Sequence, residues 1–600
     1  MPRKKTEAEV TLESRNPAVP RPRLSKLIVK NFRCIGHKPV EIELDDIVVL
    51  VGSNNAGKST ILKAYEIIMS HGSNACKLTL DDFPNGEIVE GFYPEIELHT
   101  VVHDNSPGER WIRVDSETQE KYVREQWVWK DVGSPIRRGY DVEQGEWSEN
   151  VPWGAPNVAN SQRPQPHLVE AFENPEKQAN EIIDILSSII TDRVKSMSKS
   201  SEDVESDYEK LLNNIQKLQE QILNDSKVEI EEAEGEISSL ISDVFPGYKV
   251  KFDARPHDEI DKSISLFKAK SQLLMGPEEG YQSSIAKQGS GARRTLLWAA
   301  LRFVNETQLK KKNKNERPHV LLLDEPELCL HPSAIREACK SLYDLPKNKN
   351  WQVMVTTHSP AFIDLARDNT TIVRVERSEN GDIKGTTLFR PRRILLDPDD
   401  KGRLKLLNMF DPYVAEFFFG GHSIIVEGDT EYTAFKYILE SAPELFRGVH
   451  VIRARGKDTI VSLVKILNHF DSSYSVLHDS DRPFTKKKKV NGEPKKNKAW
   501  TANEKIIDTV KKHTDPSKVR LLASVPNFEE AYFNEEVKGE KPYNALMTLT
   551  GNKEAFERIK QLLQALVDHT SPTPEGCIEW ENTSELLTEL EKLGTDEIIE

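Results

Sequence analysis

A glycine-framed loop between residues 52 and 59 constrains this chain more than any other stretch. Its spacing is G-x-x-x-x-G-K-S, which lets successive backbone amides wrap a chain of phosphates. An apolar run at residues 47–51 precedes the loop, and the segment 60–69 that follows it has the pattern of a helix. The order of strand, loop and helix places the helix N-terminus against the anion. The sequence therefore predicts a nucleotide-binding P-loop.

The residues predicted to contact the nucleotide are Gly52, Asn54, Asn55, Ala56, Gly57, Lys58, Ser59 and Thr60. Lys58 would reach the outer phosphates, and the Ser59 hydroxyl would bind magnesium.

Length and composition limit the rest of the chain. A chain of 600 residues should form several structural units. The formal net charge of −15 excludes general binding of polyanions, so any contact with nucleic acid must use local basic patches. The five cysteines are scattered without a C-x-x-C pair, which argues against a zinc cluster or disulfide framework and favours a reducing cytoplasm. With no apolar run of membrane-spanning length, we predict a soluble cytoplasmic protein without membrane contact.

The segment before the P-loop is predicted to contain a polar tail and two strands. Residues 1–23 are polar and proline-bearing and receive no function. Apolar residues alternate between 24 and 44, which predicts a hairpin-like layer. Arg33 lies between the two strands, where it either approaches the nucleotide or is a solvated arginine in a surface turn.

A tryptophan-rich segment follows at residues 93–153. Its alternating pattern predicts a lateral antiparallel sheet. The tryptophans either stack on bases or pack in the sheet, and packing is the more frequent role of aromatic residues in strands.

Residues 174–246 are poor in glycine and helical in pattern. Two apolar stripes occur there, one at Ile182, Leu186, Ile189 and Ile190 and the other at Leu211, Ile215, Leu218 and Ile222. The segment is predicted to be a helical insertion that serves either as a dimerisation arm or as simple support for the core.

Chemistry-bearing residues follow two later apolar runs. Asp324 and Glu325 directly follow the apolar run 319–323, and His358 comes shortly after the run 352–356. Since α/β sheets place their chemistry at the carboxyl ends of strands, Asp324 can share the magnesium of the P-loop and Glu325 can polarise the attacking water.

A glycine-serine turn at residues 289–291 leads into an apolar helix and forms a second potential anion site. Taken in order, these motifs resemble an ABC-type ATPase head of the SMC and OLD kind. The resemblance implies ATP and Mg²⁺ as cofactors, Glu325 as catalytic base and His358 as switch histidine. It also implies that Ser290 and Gly291 close on the nucleotide of a second head. The glutamine of the Q-loop is not located in the sequence.

The second half of the chain carries another set of acidic residues at strand ends. Glu427 follows the run 422–426, Glu431 comes four residues later, and Asp479 and Asp481 follow the run 474–478. Such carboxylates can gather oxygen ligands around Mg²⁺ or Mn²⁺. The arrangement resembles a Toprim domain, which implies that these four residues are metal ligands.

Two further candidates come from resemblance to OLD-type nucleases. Glu529 would complete a second metal site, with Glu530 as an equal alternative, and Lys541 would stabilise phosphate charge unless it is only a solvated lysine. A lysine tract at residues 486–489, with Lys495, Lys496 and Lys498, either contacts DNA phosphates or forms a solvated loop.

The complete pattern resembles the OLD family of ATP-dependent endonucleases, including the nuclease component of Gabija-type antiphage systems. The fold class expected is α/β, with an ABC-type ATPase head, an inserted helical dimerisation arm and a Rossmann-like Toprim domain. The predicted boundaries are 1–23 for the tail, 24–173 and 247–395 for the two ATPase lobes, 174–246 for the insertion and 396–600 for the Toprim domain.

This resemblance implies an ATP-regulated, metal-dependent endonuclease or nickase acting on double-stranded DNA, as a homodimer or larger assembly with a possible helicase-like partner. The alternative is an SMC-like DNA-binding ATPase whose Toprim domain is a non-catalytic scaffold.

Overall fold

The computed structural model describes fifteen stretches of the chain, and the account below is confined to them. They are residues 22–116, 119–170, 179–180, 227–242, 247–253, 272–310, 318–328, 330–348, 351–364, 370–378, 381–389, 396–411, 414–488, 494–533 and 540–594. The two apolar stripes of the predicted helical insertion lie outside these residues. Within them, no helix is both long and apolar enough to cross a membrane.

The chain divides into two compact units. One comprises Met1–Val48, Gly57–Thr357 and Glu379–Ile383, and the other comprises Val49–Ala56, His358–Ser378 and Lys384–Glu600. Each is described by itself, and the domain boundaries given above stay predictions.

The first unit opens with the predicted hairpin, in which β1 (Arg23–Lys30) pairs antiparallel with β2 (Val40–Glu43). Leu27 and Val29 are buried, so the alternation does mark one face of the layer. The P-loop strand β3 (Ile47–Val51), of which residues 47–48 belong to this unit and residues 49–51 to the other, is buried at every position, and helix α1 (Lys58–Met69) follows the loop.

The predicted lateral sheet is confirmed and is antiparallel throughout. Its further strands are β4 (Glu95–Val101), β5 (Ile112–Val114), β6 (Lys121–Val128), β7 (Ile136–Asp141) and β8 (Glu146–Ser148). The strand order is β2-β1-β4-β6-β7-β8, with β5 paired to β6. Trp111, Trp127 and Trp129 are buried, which supports packing over base stacking for these three.

A buried ion cluster lies between this sheet and the segment that follows it, helix α2 (Pro156–Gln162) and strand β9 (Gln165–Val169). Glu125 on β6 accepts hydrogen bonds from Arg137 Nε at 2.8 Å and from Arg163 Nε at 2.8 Å. The two arginines hold the pKa of Glu125 below its usual value even though burial acts in the opposite direction. Because a buried charge is costly when unpaired, these three side chains depend on one another.

The rest of the first unit is a mixed α/β layer. Its elements are α3 (Lys227–Ser242), β10 (Tyr248–Asp253), β11 (Gln272–Pro277), β12 (Ser283–Ser284), α4 (Ser290–Lys310), β13 (His319–Asp324), α5 (Pro332–Asp344) and β14 (Trp351–Thr356). Strand β13 pairs parallel with β9 and with β14, so Asp324 lies beside Thr356 at the carboxyl edge. The backbone N–H of Val353 donates to the carbonyl of Asp46, at the start of the P-loop strand, at 2.9 Å.

In the second unit the chain continues through β15 (Thr370–Arg377) and β16 (Ile383–Phe389), which begins at the junction of the two units. The elements after them are α6 (Pro398–Phe410), β17 (His422–Val426), α7 (Asp429–Ser441), β18 (Val449–Arg453), α8 (Lys457–His469), β19 (Tyr474–Asp479), β20 (Phe484–Lys488), β21 (Pro494–Lys496), α9 (Lys498–Val510), β22 (Val519–Ser524), α10 (Phe528–Phe533), α11 (Lys541–Gly551), α12 (Lys553–Val567), β23 (Cys577–Glu579) and α13 (Thr583–Leu593).

The core sheet of this unit has the order β18-β17-β19-β22-β23, and all pairs are parallel except the last. Ile424 and Val426 on β17 pack in one buried cluster with Phe435 of α7 and Leu562 of α12. The parallel strands bring the carboxyl ends of β17, β19 and β22 to the same edge, which is where an α/β sheet binds ligands.

Candidate nucleotide site and metal centre

The P-loop has the backbone that its sequence predicts. Gly52 and Gly57 have φ values of 141° and 97°, in the region that favours glycine. A Cβ atom on Gly52 would lie 2.0 Å from the carbonyl oxygen of Val375, so no larger residue fits there. Lys58 begins helix α1 and is 5% exposed. Burial lowers the pKa of Lys58, and the carboxylates of Glu325, Asp324 and Glu327 act in the opposite direction.

The structure brings the predicted magnesium ligands together. The Ser59 hydroxyl donates to Asp324 Oδ1 at 2.8 Å, and the Thr356 hydroxyl donates to the same oxygen at 2.6 Å. The two side chains are 265 residues apart in the sequence. Their contact gives a hydroxyl and a carboxylate in the arrangement that holds the metal of a P-loop ATPase.

Glu325 leaves the strand in a left-handed conformation, with φ of 45°. Its N–H donates to the Thr356 hydroxyl at 3.0 Å, and its carbonyl accepts from Arg294 Nη1 at 2.9 Å. A non-glycine residue in this region is uncommon and needs support from its surroundings, which these contacts supply. The backbone therefore leaves the extended conformation of β13 at Glu325.

The other ATPase candidates lie at element ends. Ser290 and Gly291 form the first turn of α4, and the Thr295 hydroxyl donates to the Gly291 carbonyl at 2.9 Å. His358 is half-buried and follows Thr357, whose hydroxyl donates to Glu327 Oε1 at 2.7 Å. Arg33, for which two roles were open, pairs with Asp82 at 2.9 Å, so its guanidinium is held in the N-terminal turn.

The second set of acidic residues meets at the carboxyl edge of the parallel sheet in the second unit. The N–H of Asp479 donates to Glu427 Oε2 at 3.2 Å, which joins the ends of β19 and β17. The N–H of Phe528, at the start of α10, donates to Asp479 Oδ1 at 2.8 Å. A Cβ on Gly428 would lie 3.0 Å from Glu431 Oε2, so the absence of a side chain at Gly428 leaves room for the Glu431 carboxyl group.

These carboxyl groups repel one another. The pKa of Glu427 is raised to about 7, first by burial and then by Asp481 and Glu529, against the effect of Lys457. The pKa of Glu431 is raised to about 8 by burial together with Glu427 and Glu529. Burial, Glu431, Glu427 and Asp481 raise the pKa of Asp479 well above its usual value. Positive charge at this edge would stabilise all of them.

Glu529 and Glu530, which the sequence left as alternatives, have different surroundings. Glu529 is 5% exposed, accepts a hydrogen bond from the Thr430 hydroxyl at 3.0 Å and pairs with Lys541 Nζ at 3.1 Å. Glu530 instead pairs with Arg482 at 3.2 Å and with the amide of Asn527. Glu529 is therefore the one whose charge acts on Glu427 and Glu431, and Lys541 lies beside it.

A buried lysine that the sequence analysis missed lies among these acids. Lys457 begins α8, pairs with Asp481 and donates to Asn503 Oδ1 at 2.7 Å. It follows Arg455 and Gly456, both with positive φ, immediately after β18. A Gly-Lys pair just after a strand of the same sheet edge is the signal that could have identified it.

The arrangement fits a divalent cation by its chemistry. The donors are all carboxylate oxygens, which Mg²⁺ and Mn²⁺ prefer, and a cation beside them would oppose the burial and mutual repulsion that raise the pKa values of Glu427, Glu431 and Asp479. In the part of the chain that the structure describes, no three acidic, histidine or cysteine side chains stand in position to hold an ion. The predicted ligands are thus neighbours at one edge but engage Lys457, Lys541 and backbone amides.

Comparison with known proteins identifies the two domain types. Residues 23–102 and 165–363 match the family described as AAA ATPase domain. Residues 418–481 match the family described as overcoming lysogenization defect protein-like, TOPRIM domain. The matches define a P-loop ATPase joined to a Toprim domain, and these domain types imply the use of a nucleotide and a divalent metal.

Two relatives align with 76% of this chain. The Old nuclease of Escherichia phage P2 is 26% identical over 482 residues, which cover 76% of this chain and 77% of the relative. The OLD nuclease of Thermus scotoductus is 24% identical over 470 residues, which cover 76% and 82%. The comparisons support an OLD-type nuclease with a linked ATPase domain, as the order of the motifs predicts.

Solved SMC heads also align with the chain. The Smc head domain derived from Pyrococcus furiosus is 15% identical, covers 61% of this chain and 96% of its own, and has a TM-score of 0.38. The head domain from Thermotoga maritima is 14% identical, covers 61% and 99%, and has a TM-score of 0.31.

Proposed function

We propose that this chain is an ATP-regulated endonuclease or nickase that cuts double-stranded DNA with Mg²⁺ or Mn²⁺. The observation that carries the proposal is the meeting of Glu427, Glu431, Asp479 and Asp481 at the carboxyl edge of the sheet that matches the OLD-like Toprim family. Their mutual repulsion is unfavourable in a purely structural role and is relieved by a bound cation.

At the metal centre, Glu427, Glu431, Asp479, Asp481 and Glu529 would hold the cation. When bound, the metal supplies activation of water and stabilisation of the leaving oxygen of the phosphodiester. The Phe528 amide fixes one oxygen of Asp479, and Lys457 fixes Asp481. The side chain of Lys541 is 51% exposed, which supports a role in binding substrate phosphate.

At the nucleotide site, Lys58 would bind the outer phosphates, while Ser59 and Asp324 would hold Mg²⁺. Glu325 would orient the attacking water as catalytic base and His358 would sense the γ-phosphate. Ser290 and Gly291 would complete the site of a second copy, so we propose a homodimer or larger assembly. Replacement of Ser290 with a bulky residue should then reduce hydrolysis without reducing the nucleotide affinity of an isolated head.

The biological setting stays a prediction. Defence against mobile DNA in the cytoplasm is consistent with the scattered cysteines and with the resemblance to Gabija-type nucleases. The helicase-like partner rests on that resemblance alone.

Supercoiled plasmid distinguishes the nuclease from a non-cutting DNA-binding ATPase. The purified chain should convert it to nicked or linear DNA in Mg²⁺ or Mn²⁺ and leave it intact in EDTA. Parallel reactions with and without ATP show whether ATP activates or inhibits cleavage. Intact plasmid in both metals, from a protein that hydrolyses ATP, would favour the non-catalytic Toprim scaffold.

A further inference from the structure

A lysine-rich β-hairpin follows four of the acidic residues of the metal centre in the sequence. Its strands are β20 and β21, which pair antiparallel with Phe484 opposite Lys496 and Thr485 opposite Lys495. We call residues 484–488 with 494–496 the lysine hairpin. It begins three residues after Asp481, beyond the end of the OLD-like Toprim match.

The hairpin concentrates positive charge on an otherwise acidic chain. Its strands contain five lysines and no acidic residue, whereas the whole chain has a formal net charge of −15. Lys495 and Lys496 are exposed, and the closest acidic contact of Lys496 is Glu504 at 4.0 Å. At that distance and exposure the pair is worth little, so both lysines can engage an external anion.

The base of the hairpin is fixed. The N–H of Asn497 donates to the Pro483 carbonyl at 2.9 Å, and its side-chain amide donates to the Arg482 carbonyl at 2.9 Å. The same side chain caps helix α9 by accepting from the Ala499 N–H at 3.1 Å. These bonds tie the two ends of the hairpin to each other and to the start of α9.

The fixed base connects directly to the acidic residues. Asn503 of α9 accepts from Lys457 at 2.7 Å and donates to the Ser480 carbonyl at 2.8 Å. Lys457 in turn pairs with Asp481. On the other side, Arg482 pairs with Glu530, the neighbour of Glu529. These contacts connect the base of the hairpin to Asp481, through Asn503 and Lys457, and to the residue next to Glu529, through Arg482. Asp481 and Glu529 are both proposed metal ligands.

We propose that the lysine hairpin binds the phosphate backbone of duplex DNA next to the scissile bond and places the duplex over the metal centre. This inference rests on the proposed nuclease function and names how its substrate is held. Clustered lysines attract DNA without reading its sequence, because they release counterions from the phosphates. A two-stranded ribbon also has the dimensions to lie in the major groove of a duplex.

The matched experiment compares two lysine pairs at opposite ends of helix α9. Lys495→Gln with Lys496→Gln removes two charges at the hairpin, and Lys511→Gln with Lys512→Gln removes two exposed charges about 20 Å away along the helix. Binding of a fluorescent 30-base-pair duplex is measured by anisotropy in EDTA, over a series of salt concentrations. Circular dichroism checks the fold of each variant.

The double variant Lys495→Gln with Lys496→Gln should bind the duplex several-fold more weakly. The slope of log K against log [salt] is negative, and its magnitude should decrease by about 1 to 2 in this variant. The α9 control pair should leave both unchanged, and Lys495→Arg with Lys496→Arg should restore both. Equal slopes for the hairpin pair and the wild-type chain would overturn the proposal. Weakened binding of single strands with unchanged duplex binding would also overturn it.

Plasmid cleavage keeps this inference separate from the proposed function. If the wild-type chain cuts and the hairpin pair binds and cuts like it, only the hairpin assignment fails. If the wild-type chain does not cut in any divalent metal, the nuclease function fails, and the salt slopes still decide whether the hairpin binds DNA.

Discussion

The two sites of this chain use acidic residues at the carboxyl ends of parallel strands in opposite ways. At the nucleotide site, Asp324 is satisfied by the hydroxyls of Ser59 and Thr356. At the metal centre, the carboxyl groups of Glu427, Glu431 and Asp479 face one another, and burial and repulsion raise their pKa values. Hydroxyl groups of the chain itself therefore satisfy Asp324, whereas added positive charge would stabilise the ionised carboxyl groups of the second site.

This difference indicates what each site contributes. At the nucleotide site, the two proposed Mg²⁺ ligands Ser59 and Asp324 are already in contact through a hydrogen bond. A site with excess negative charge gains free energy when a cation binds, which makes that cation both ligand and structural element. The four predictions below test this contrast, from the largest expected effect to the smallest.

The largest effect is expected from Glu427→Gln and Asp479→Asn. Each change keeps the shape of the side chain but removes a carboxyl group that we propose as a metal ligand, so plasmid cleavage should fall by about 100-fold or more. ATP hydrolysis in the same preparations should stay within about twofold. Glu440→Gln, an exposed change at the far end of α7, is the matched control and should cut normally. Full cleavage by a folded Asp479→Asn protein would show that the metal centre is assigned wrongly.

At the nucleotide site, Glu325→Gln should reduce ATP hydrolysis by about 100-fold because it removes the base that orients water. Nucleotide affinity, measured with a fluorescent analogue, should persist. Lys58→Ala should lose that affinity, since we propose that the ammonium of Lys58 binds the outer phosphates. Glu337→Gln, on the exposed face of α5, controls for loss of charge. Normal turnover by Glu325→Gln would assign the base elsewhere.

Lys457→Met should lower cleavage by about tenfold because Asp481 loses the group that orients it. Its melting temperature without metal should fall, and Mn²⁺ should raise that temperature more than in the wild-type chain, since the cation then replaces the missing charge. Lys457→Arg keeps the charge and should behave as the wild-type chain. A lysine with only a packing role would lower the melting temperature without changing the response to Mn²⁺.

The smallest effect concerns His422, at the opposite, N-terminal end of β17. Burial and the nearby His569 lower the pKa of His422 to about 4, from 6.5 in an unfolded chain. Below pH 6.5 the unfolded chain binds the proton more readily, so stability falls as the pH drops from 6.5 towards 4. His422→Asn should reduce this acid-induced fall in melting temperature by a few degrees. If the melting temperature of His422→Asn depends on pH in the same way as that of the wild-type chain, the lowered pKa of His422 is wrong.

The sequence was sufficient where the chemistry is local to a motif. The P-loop spacing, the pair Asp324 and Glu325 after an apolar run, and the acids after β17 and β19 all predict their strand-end positions correctly. In each case, residue types and order are dictated by the phosphate or the cation to be bound.

The sequence was insufficient where a role depends on a distant partner. Arg33 finds Asp82 forty-nine residues away, and Lys457 finds Asp481 and Asn503 through the packing of α8 against α9. The choice between Glu529 and Glu530 likewise depends on which side of a short helix faces the sheet edge. Pairings of this kind are properties of tertiary structure, and no spacing along the chain encodes them.

The buried cluster of Glu125, Arg137 and Arg163 has a consequence for the history of the ATPase region. All three residues lie in the segment 103–164, which separates the two matched parts of the AAA ATPase domain. The buried carboxylate of this cluster and both of its buried guanidinium groups therefore belong to the same segment. Loss of only one part of the segment would leave a buried ion of this cluster without its partner. We expect relatives to carry this segment whole or to lack it entirely.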